Sequence, residues 1–358
     1  MTAPRCIRPG KTWFVTRRTT RRFFLLRPDA DATLQKLYWY TTALIAQECG
    51  IEIHAVQMLS THIHEVLTDT RGELPRFLQQ RNRLLANAIK AHRDWPEEVF
   101  ARAPASCVAL YGNSAILKEI GYTLANCVEA GLVNHPDEWP GVSVSVDEIG
   151  GEGFTAVRPE AYFDEENTRW PPSVEVRFTM PPTLVDAYAG RASAVLRSAV
   201  DSAIGLARRA AAAARRVVRS AASLVRVPHD RRAQSREPFG KRMPNFAAGG
   251  DRVQLAVAKR ERRTFLDQYR NALERLKEGC RDVLFPHGTW RLHQEFRFEC
   301  GANAQRRSDL LSGLLSDLLS DLLPRSFGSP VRAIGPSVSC QRRRAARGTP
   351  ETEEDGNV

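Results

Sequence analysis

An α+β fold is predicted for this chain of 358 residues: a small antiparallel β-sheet with helices packed on it, continued by a mainly helical, basic extension. Two patterns predict it. Residues Ile51 to Met58 and His62 to Leu67 are rich in β-branched and apolar types, and Ser60-Thr61 is a short polar break between them, so the stretch reads as two adjacent antiparallel strands. Around it lie segments with apolar residues at helical spacing, over 29–50, 73–92 and 114–133. The order is β, α, β, β, α, α, and Cys107 to Tyr111 offers another strand.

The first strand is placed at Thr12 to Arg18. The segment 29–50 carries apolar or β-branched residues at 34, 37, 38, 41, 44 and 45 and stops at Gly50, which predicts an amphipathic helix closed by a glycine. In 73–92, Leu74, Phe77, Leu78, Leu84, Leu85, Ala88 and Ile89 are expected inward, and Arg71, Arg76, Arg81, Arg83, Lys90 and Arg93 mostly outward. Asp94-Trp95-Pro96 ends that pattern. The third helix has apolar residues at 116, 117, 120, 124 and 128, with Asn113 or Ser114 as its expected cap. Between Gly141 and Pro182 glycine and proline are frequent, which places a domain boundary near 150. The organisation read from this is a domain over 1–150, a helical basic extension over 151–302 and a low-complexity tail over 303–358. Helices are expected over 183–227, where Ala210 to Arg219 has high intrinsic propensity, and over 252–279, with a basic linker from Pro228 to Gly250. Leu310 to Leu323 is a four-residue leucine repeat that leaves a homodimer open, and Arg342 to Val358 reads as disordered.

The net charge of +11 favours anionic partners, and its placement narrows them. Residues 1–150 hold 17 Lys and Arg against 16 Asp and Glu, whereas residues 201–250 hold 11 against 3. Within the first part the cations gather at Arg5, Arg8, Lys11, Arg17, Arg18, Arg21, Arg22 and Arg27, bracketing the first strand. Arg17, Arg18, Arg21 and Arg22 are the candidate phosphate contacts, the alternative being a solvated hairpin. The 7 cysteines form no C-x-x-C pair and are odd in number, which speaks against a zinc ribbon or a disulfide scaffold and for a reducing compartment. No apolar run approaches the ~18 residues of a spanning helix, and the N-terminus lacks a signal-peptide core, so the expected location is cytoplasmic.

Chemistry concentrates at two places. Alternation along a strand puts His62, His64 and Val66 on one face and Ile63, Glu65 and Leu67 on the other, with the two imidazoles roughly 6–7 Å apart at the backbone. That spacing suits one small cation or one phosphate, and neutral imidazole is a common metal ligand. On the third helix Tyr122 and Asn126 are four apart, so a hydroxyl and an amide oxygen point the same way. His54 lies in the other strand and is read as structural.

His-apolar-His on a strand, followed by a Tyr-x-x-x-Asn helix running into Ala130-Gly131-Leu132-Val133 and Trp139-Pro140, resembles the single-tyrosine HUH transposases, in particular the REP-associated tyrosine transposases. The opening Thr12-Trp13-Phe14-Val15-Thr16-Arg17-Arg18, with Arg22-Phe23-Phe24-Leu25-Leu26-Arg27 after it, resembles that family's first strand and basic turn. The resemblance covers about the first 140 residues. It implies a ferredoxin- or RRM-like domain in which Tyr122 attacks single-stranded or hairpin DNA. It also implies Mg²⁺ or Mn²⁺ held by His62, His64 and Asn126, and DNA transposition as the outcome. Mixed N and O ligation suits Mn²⁺ better than Mg²⁺. The chain departs from the family pattern at Thr61, where Asn is usual, at Glu65, where Leu is frequent, and at Cys127, where Pro is usual. Two further functions stay open: a domesticated binder of hairpin or single-stranded DNA that does not cut, and a metal-dependent phosphodiesterase using activated water.

Overall fold

The polar break at Ser60-Thr61 is the turn of a hairpin. In the computed structural model, which describes residues 4–218, 220–234 and 244–301, strand β2 (Ile51–Leu59) runs antiparallel to β3 (His62–Asp69) with Leu59 opposite His62 and Gln57 opposite His64. The register shifts between Ile53 and Ala55, a bulge centred on His54. Strand β1 (Lys11–Arg18) lies on the other side of β3, Thr16 against His64 and Arg18 against His62. Strand β4 (Ser106–Leu110) pairs with β1, as the sequence suggested for Cys107 to Tyr111. Two short strands come later, β5 (Phe154–Val157) and β6 (Ser173–Val176), which form a separate hairpin. The last, β7 (Phe246–Ala247), joins β4 in parallel, giving the sheet order β2-β3-β1-β4-β7.

Helices α1 (Thr33–Cys49) and α2 (Leu74–Arg93) cover one face of this sheet, and α3 (Asn113–Glu129) covers the other. The extension adds α4 (Pro182–Tyr188), α5 (Ala192–Ala213), α6 (Ala221–Val225), α7 (Arg252–Lys277) and α8 (Trp290–Phe296). The architecture is α+β with a helical C-terminal region, as expected. One cluster of buried side chains extends from Ile7 to Leu224 and passes through position 150. None of the helices among the described residues is long and apolar enough to cross a membrane. The leucine repeat and the C-terminal tail lie outside the described residues.

Helix α1 ends as predicted at Gly50, which has φ +68, and a Cβ there would lie 2.6 Å from the Arg71 side chain. It is not simply amphipathic. Trp39 and Tyr40 are buried too, because residues 154–178 cover its outer side: Trp39 meets Phe154 and Phe178, and the Tyr40 hydroxyl donates to the Pro171 carbonyl at 2.7 Å. At the start of α2 the Asp69 carboxylate accepts from the backbone N–H groups of Arg71, Gly72, Glu73 and Leu74, satisfying donors that a helix start leaves open.

Some expectations fail for identifiable reasons. Arg81 and Arg93 of α2 are buried, not outward. Arg81 faces the sheet because Glu65 projects from β3 to meet it, Nη2 to Oε2 at 2.6 Å, and Arg93 turns inward to Asp29 at 2.5 Å. Helix α3 is capped by Gly112, with no side-chain cap from Asn113 or Ser114, and the Asn113 amide instead donates to the Thr183 carbonyl at 3.3 Å. The Ala/Arg-rich run leaves the helix after Ala213. Arg215 takes φ +48, and the Arg216 guanidinium donates to the Glu129 carbonyl, so a tertiary contact overrides propensity there.

Candidate active site

The face of β3 opposite Glu65 carries His62 and His64, whose rings lie 4.6 Å apart between centroids at an angle of 78°. Three elements hold them. From β1, Thr16 Oγ1 is 3.0 Å from His64 Nδ1, and the Phe14 ring stacks on His64 at 5.2 Å. From the hairpin turn, Thr61 Oγ1 is 2.9 Å from His62 Nδ1. From α3, Asn126 brings Oδ1 to 3.3 Å from His62 Nε2. Tyr122, one turn earlier, sets its ring 5.4 Å from His64 and 5.9 Å from Phe14. The helical spacing of Tyr122 and Asn126 and the strand spacing of the histidines therefore converge on one place. Tyr122 is 36% exposed and Asn126 is buried, which leaves the phenol at the mouth and the amide inside.

The electrostatics follow from this burial. Desolvation, with His62 and Arg18 adding to it, holds the His64 pKa well below its usual value, so that ring is neutral. Neutral imidazole is the form that coordinates metal. A threonine hydroxyl either donates or accepts, so Thr16 and Thr61 can each hold a proton on Nδ1 and leave Nε2 as the ligand atom. Burial raises the pKa of Tyr122 above its usual value, and Glu129 and Glu119 raise it further. Arg18 and the neighbouring Asn126 side chain pull the other way. The Asn126 amide thus turns its oxygen toward His62 and lies one helical turn from the phenol.

The residues that could hold a metal are His62, His64 and Asn126. Among the described residues no group of three or more His, Cys, Asp or Glu could do so. Two imidazole nitrogens with a fixed outer partner and one amide oxygen form a mixed N and O set that fits a small divalent cation and leaves positions for phosphate oxygens.

The candidate DNA contacts divide. Arg18 shares the histidine face, opposite His62, and is exposed. Arg17 is on the other face, donating to the Ala103 carbonyl at 2.5 Å with its guanidinium 5.0 Å from the centroid of the Phe100 ring. Arg21 and Arg22 lie in a 3₁₀ turn, Thr20–Arg22, both with positive φ. The backbone beside that turn is bonded to the extension, Phe24 N–H to the Arg231 carbonyl at 2.8 Å and Ala233 N–H to the Arg22 carbonyl at 3.2 Å. His54 is structural, as read: it is fully buried between the Thr179 carbonyl and Thr68 Oγ1, each at 2.7 Å.

Thr16, Phe14 and Gln57 belong to the site and were not singled out from sequence. Gln57 is fully buried opposite His64 and accepts from Ser143 Oγ at 2.7 Å. The signal for all of them is cross-strand register, which appears only once β1, β2 and β3 are aligned.

No family model matches the chain, and no curated protein matches it. A solved structure of a REP-associated tyrosine transposase bound to a REP hairpin is similar over 41% of this chain and 84% of its own, at 18% identity and a TM-score of 0.35. A likeness at that identity and TM-score carries no argument about activity, and the chemistry of the site rests on the side chains themselves.

Proposed function

We propose that this chain is a DNA-nicking and strand-transfer enzyme of the single-tyrosine type, with Tyr122 as nucleophile. One observation carries the reading: a partly exposed phenol on a helix lies against His64, the Nδ1 atoms of His64 and His62 each meet a threonine hydroxyl, and Asn126, one turn along the same helix, reaches His62. Single-stranded or hairpin DNA as substrate comes from the sequence resemblance, and the basic residues around β1 suit a polyanion.

Tyr122 Oη forms a bond to phosphorus as the bond from phosphorus to the 3′ oxygen breaks. The phenol proton passes to solvent and the departing oxygen takes one up, leaving a 5′-phosphotyrosine and a free 3′-hydroxyl. Because burial disfavours the phenoxide, the charge of Arg18 and the neighbouring Asn126 amide are the groups of this chain that help it form. A phenoxide, with a usual pKa of about 10, is also a better leaving group than an alkoxide, so rejoining to another strand is feasible. A divalent cation on His62, His64 and Asn126, Mn²⁺ better than Mg²⁺, would polarise the phosphate when bound.

The test is incubation of the full chain with Mn²⁺ and end-labelled single-stranded hairpin DNA from the flanks of its own gene. The expected product is a protein–DNA adduct that survives denaturation and is lost in Tyr122→Phe and in His62→Ala. Cleavage that persists in Tyr122→Phe without an adduct replaces the reading with activated water. Binding with no cleavage replaces it with a DNA-binding protein.

A further inference from the structure

Helix α3 is enclosed on both sides. Its sheet side packs on β2 and β3, and its far side packs along α5, the most extensive contact between two elements among the described residues. What remains open is a narrow stripe, Ser114, Lys118, Tyr122 and Glu129. The extension also ties α3 down along its length. At the start Asn113 Nδ2 donates to the Thr183 carbonyl at 3.3 Å. At the end Arg216 donates to the Glu129 carbonyl, and just beyond it Arg208 donates to the Asn134 carbonyl at 2.8 Å. In the middle the fit is closest at Gly121, the neighbour of the proposed nucleophile: a Cβ there would lie 3.0 Å from the Ala203 Cβ and 3.2 Å from the Ala199 carbonyl oxygen. Gly121 has ordinary helical φ, so close approach, not backbone conformation, is what calls for glycine.

We infer that α5 is a positioning element of the site, acting through Gly121 against Ala199 and Ala203 to fix Tyr122 relative to His64. The inference rests on the tyrosyl-transfer reading for its consequence. A nucleophile displaced by a fraction of an ångström to an ångström loses much of the benefit of alignment, and helices packed this closely transmit a displacement instead of absorbing it. The extension therefore does more than add basic charge: without it, the tyrosine helix would have one wall in place of two.

The test adds a methyl group and then makes room for it. Gly121→Ala requires α3 and α5 to give by a few tenths of an ångström, although alanine is the better helix former; Gly121→Ala with Ala203→Gly restores the space. Two quantities are read, the rate of adduct formation and the ¹⁹F line of 3-fluorotyrosine at position 122, assigned by its loss in Tyr122→Phe. The single variant is expected to slow adduct formation by about tenfold or more with DNA binding unchanged, and to shift the fluorine line. The double variant is expected to recover both. A wild-type rate with an unshifted line in Gly121→Ala overturns the inference, as does a loss that the double variant fails to recover. Should Gly121→Ala not fold, Ala203→Val places the bulk on α5 and is judged by the same two outcomes. If the wild type forms no adduct, the tyrosyl-transfer reading falls by itself, and the fluorine line still decides whether α5 sets the position of Tyr122.

Discussion

His64 and Glu65 are neighbours on β3 and have opposite environments. The His64 side faces α3 and opens through Tyr122 to solvent, whereas the Glu65 side is sealed beneath α1 and α2. There the Tyr38 hydroxyl donates to Glu65 Oε1 at 2.6 Å and Arg81 donates to Oε2 at 2.6 Å, with all three side chains fully buried. Strand alternation thus sets a polar site and a polar anchor back to back. A charged residue beside the histidine pair is therefore no sign of catalysis: its partners decide what it does, and Glu65 is committed to holding the helices on the sheet.

The most costly substitution is expected on the sealed side. Glu65→Ala leaves the Arg81 guanidinium buried without its carboxylate and is expected to cost about 3–5 kcal/mol in urea unfolding. A loss under ~1 kcal/mol would show that water reaches the pair.

Next in size is a pH effect at the closed end of the histidine face, where His54 bonds to Thr68. Burial lowers the His54 pKa from 6.5 to about 4. The unfolded chain therefore binds more protons than the folded one between these values, so stability is complete above pH 6.5 and falls as pH drops toward about 4. The loss is on the order of 3 kcal/mol, and the stability difference between wild type and His54→Gln should carry that slope. Parallel unfolding curves for the two proteins across this window would mean that His54 is not kept neutral.

The smallest effect belongs to the open side. Thr16→Val removes the hydroxyl against His64 Nδ1 and is expected to weaken Mn²⁺ binding by ~10–100-fold, measured by calorimetry, with little change in melting temperature. Unchanged affinity would show that the ring is oriented by the stack on Phe14 alone.

The hairpin, the sheet-facing side of α2 and the Tyr122–Asn126 pair could be read in the sequence because each depends on local periodicity. What could not be read depends on pairing. Nothing local distinguishes Arg81, which meets Glu65, from Arg83 two residues on. Thr16 and Gln57 join the site through register with His64, and no sequence pattern states a register. The close approach at Gly121 is similarly silent, since a glycine within a helical pattern signals only a weakened helix until a partner is seen.

The parallel pairing of β4 with Phe246–Ala247 has a consequence for biosynthesis. Strand β4 is an edge until β7 arrives, and the chain between residues 110 and 246 must leave the ribosome first, which at ~5–20 residues per second takes on the order of ten seconds. During that interval the nascent domain presents unpaired backbone groups at Ala109 to Tyr111, a template for pairing with another nascent chain. Fragments ending near residue 150 would keep that edge permanently, so their aggregation would report a missing strand and not a failure of the first half to fold.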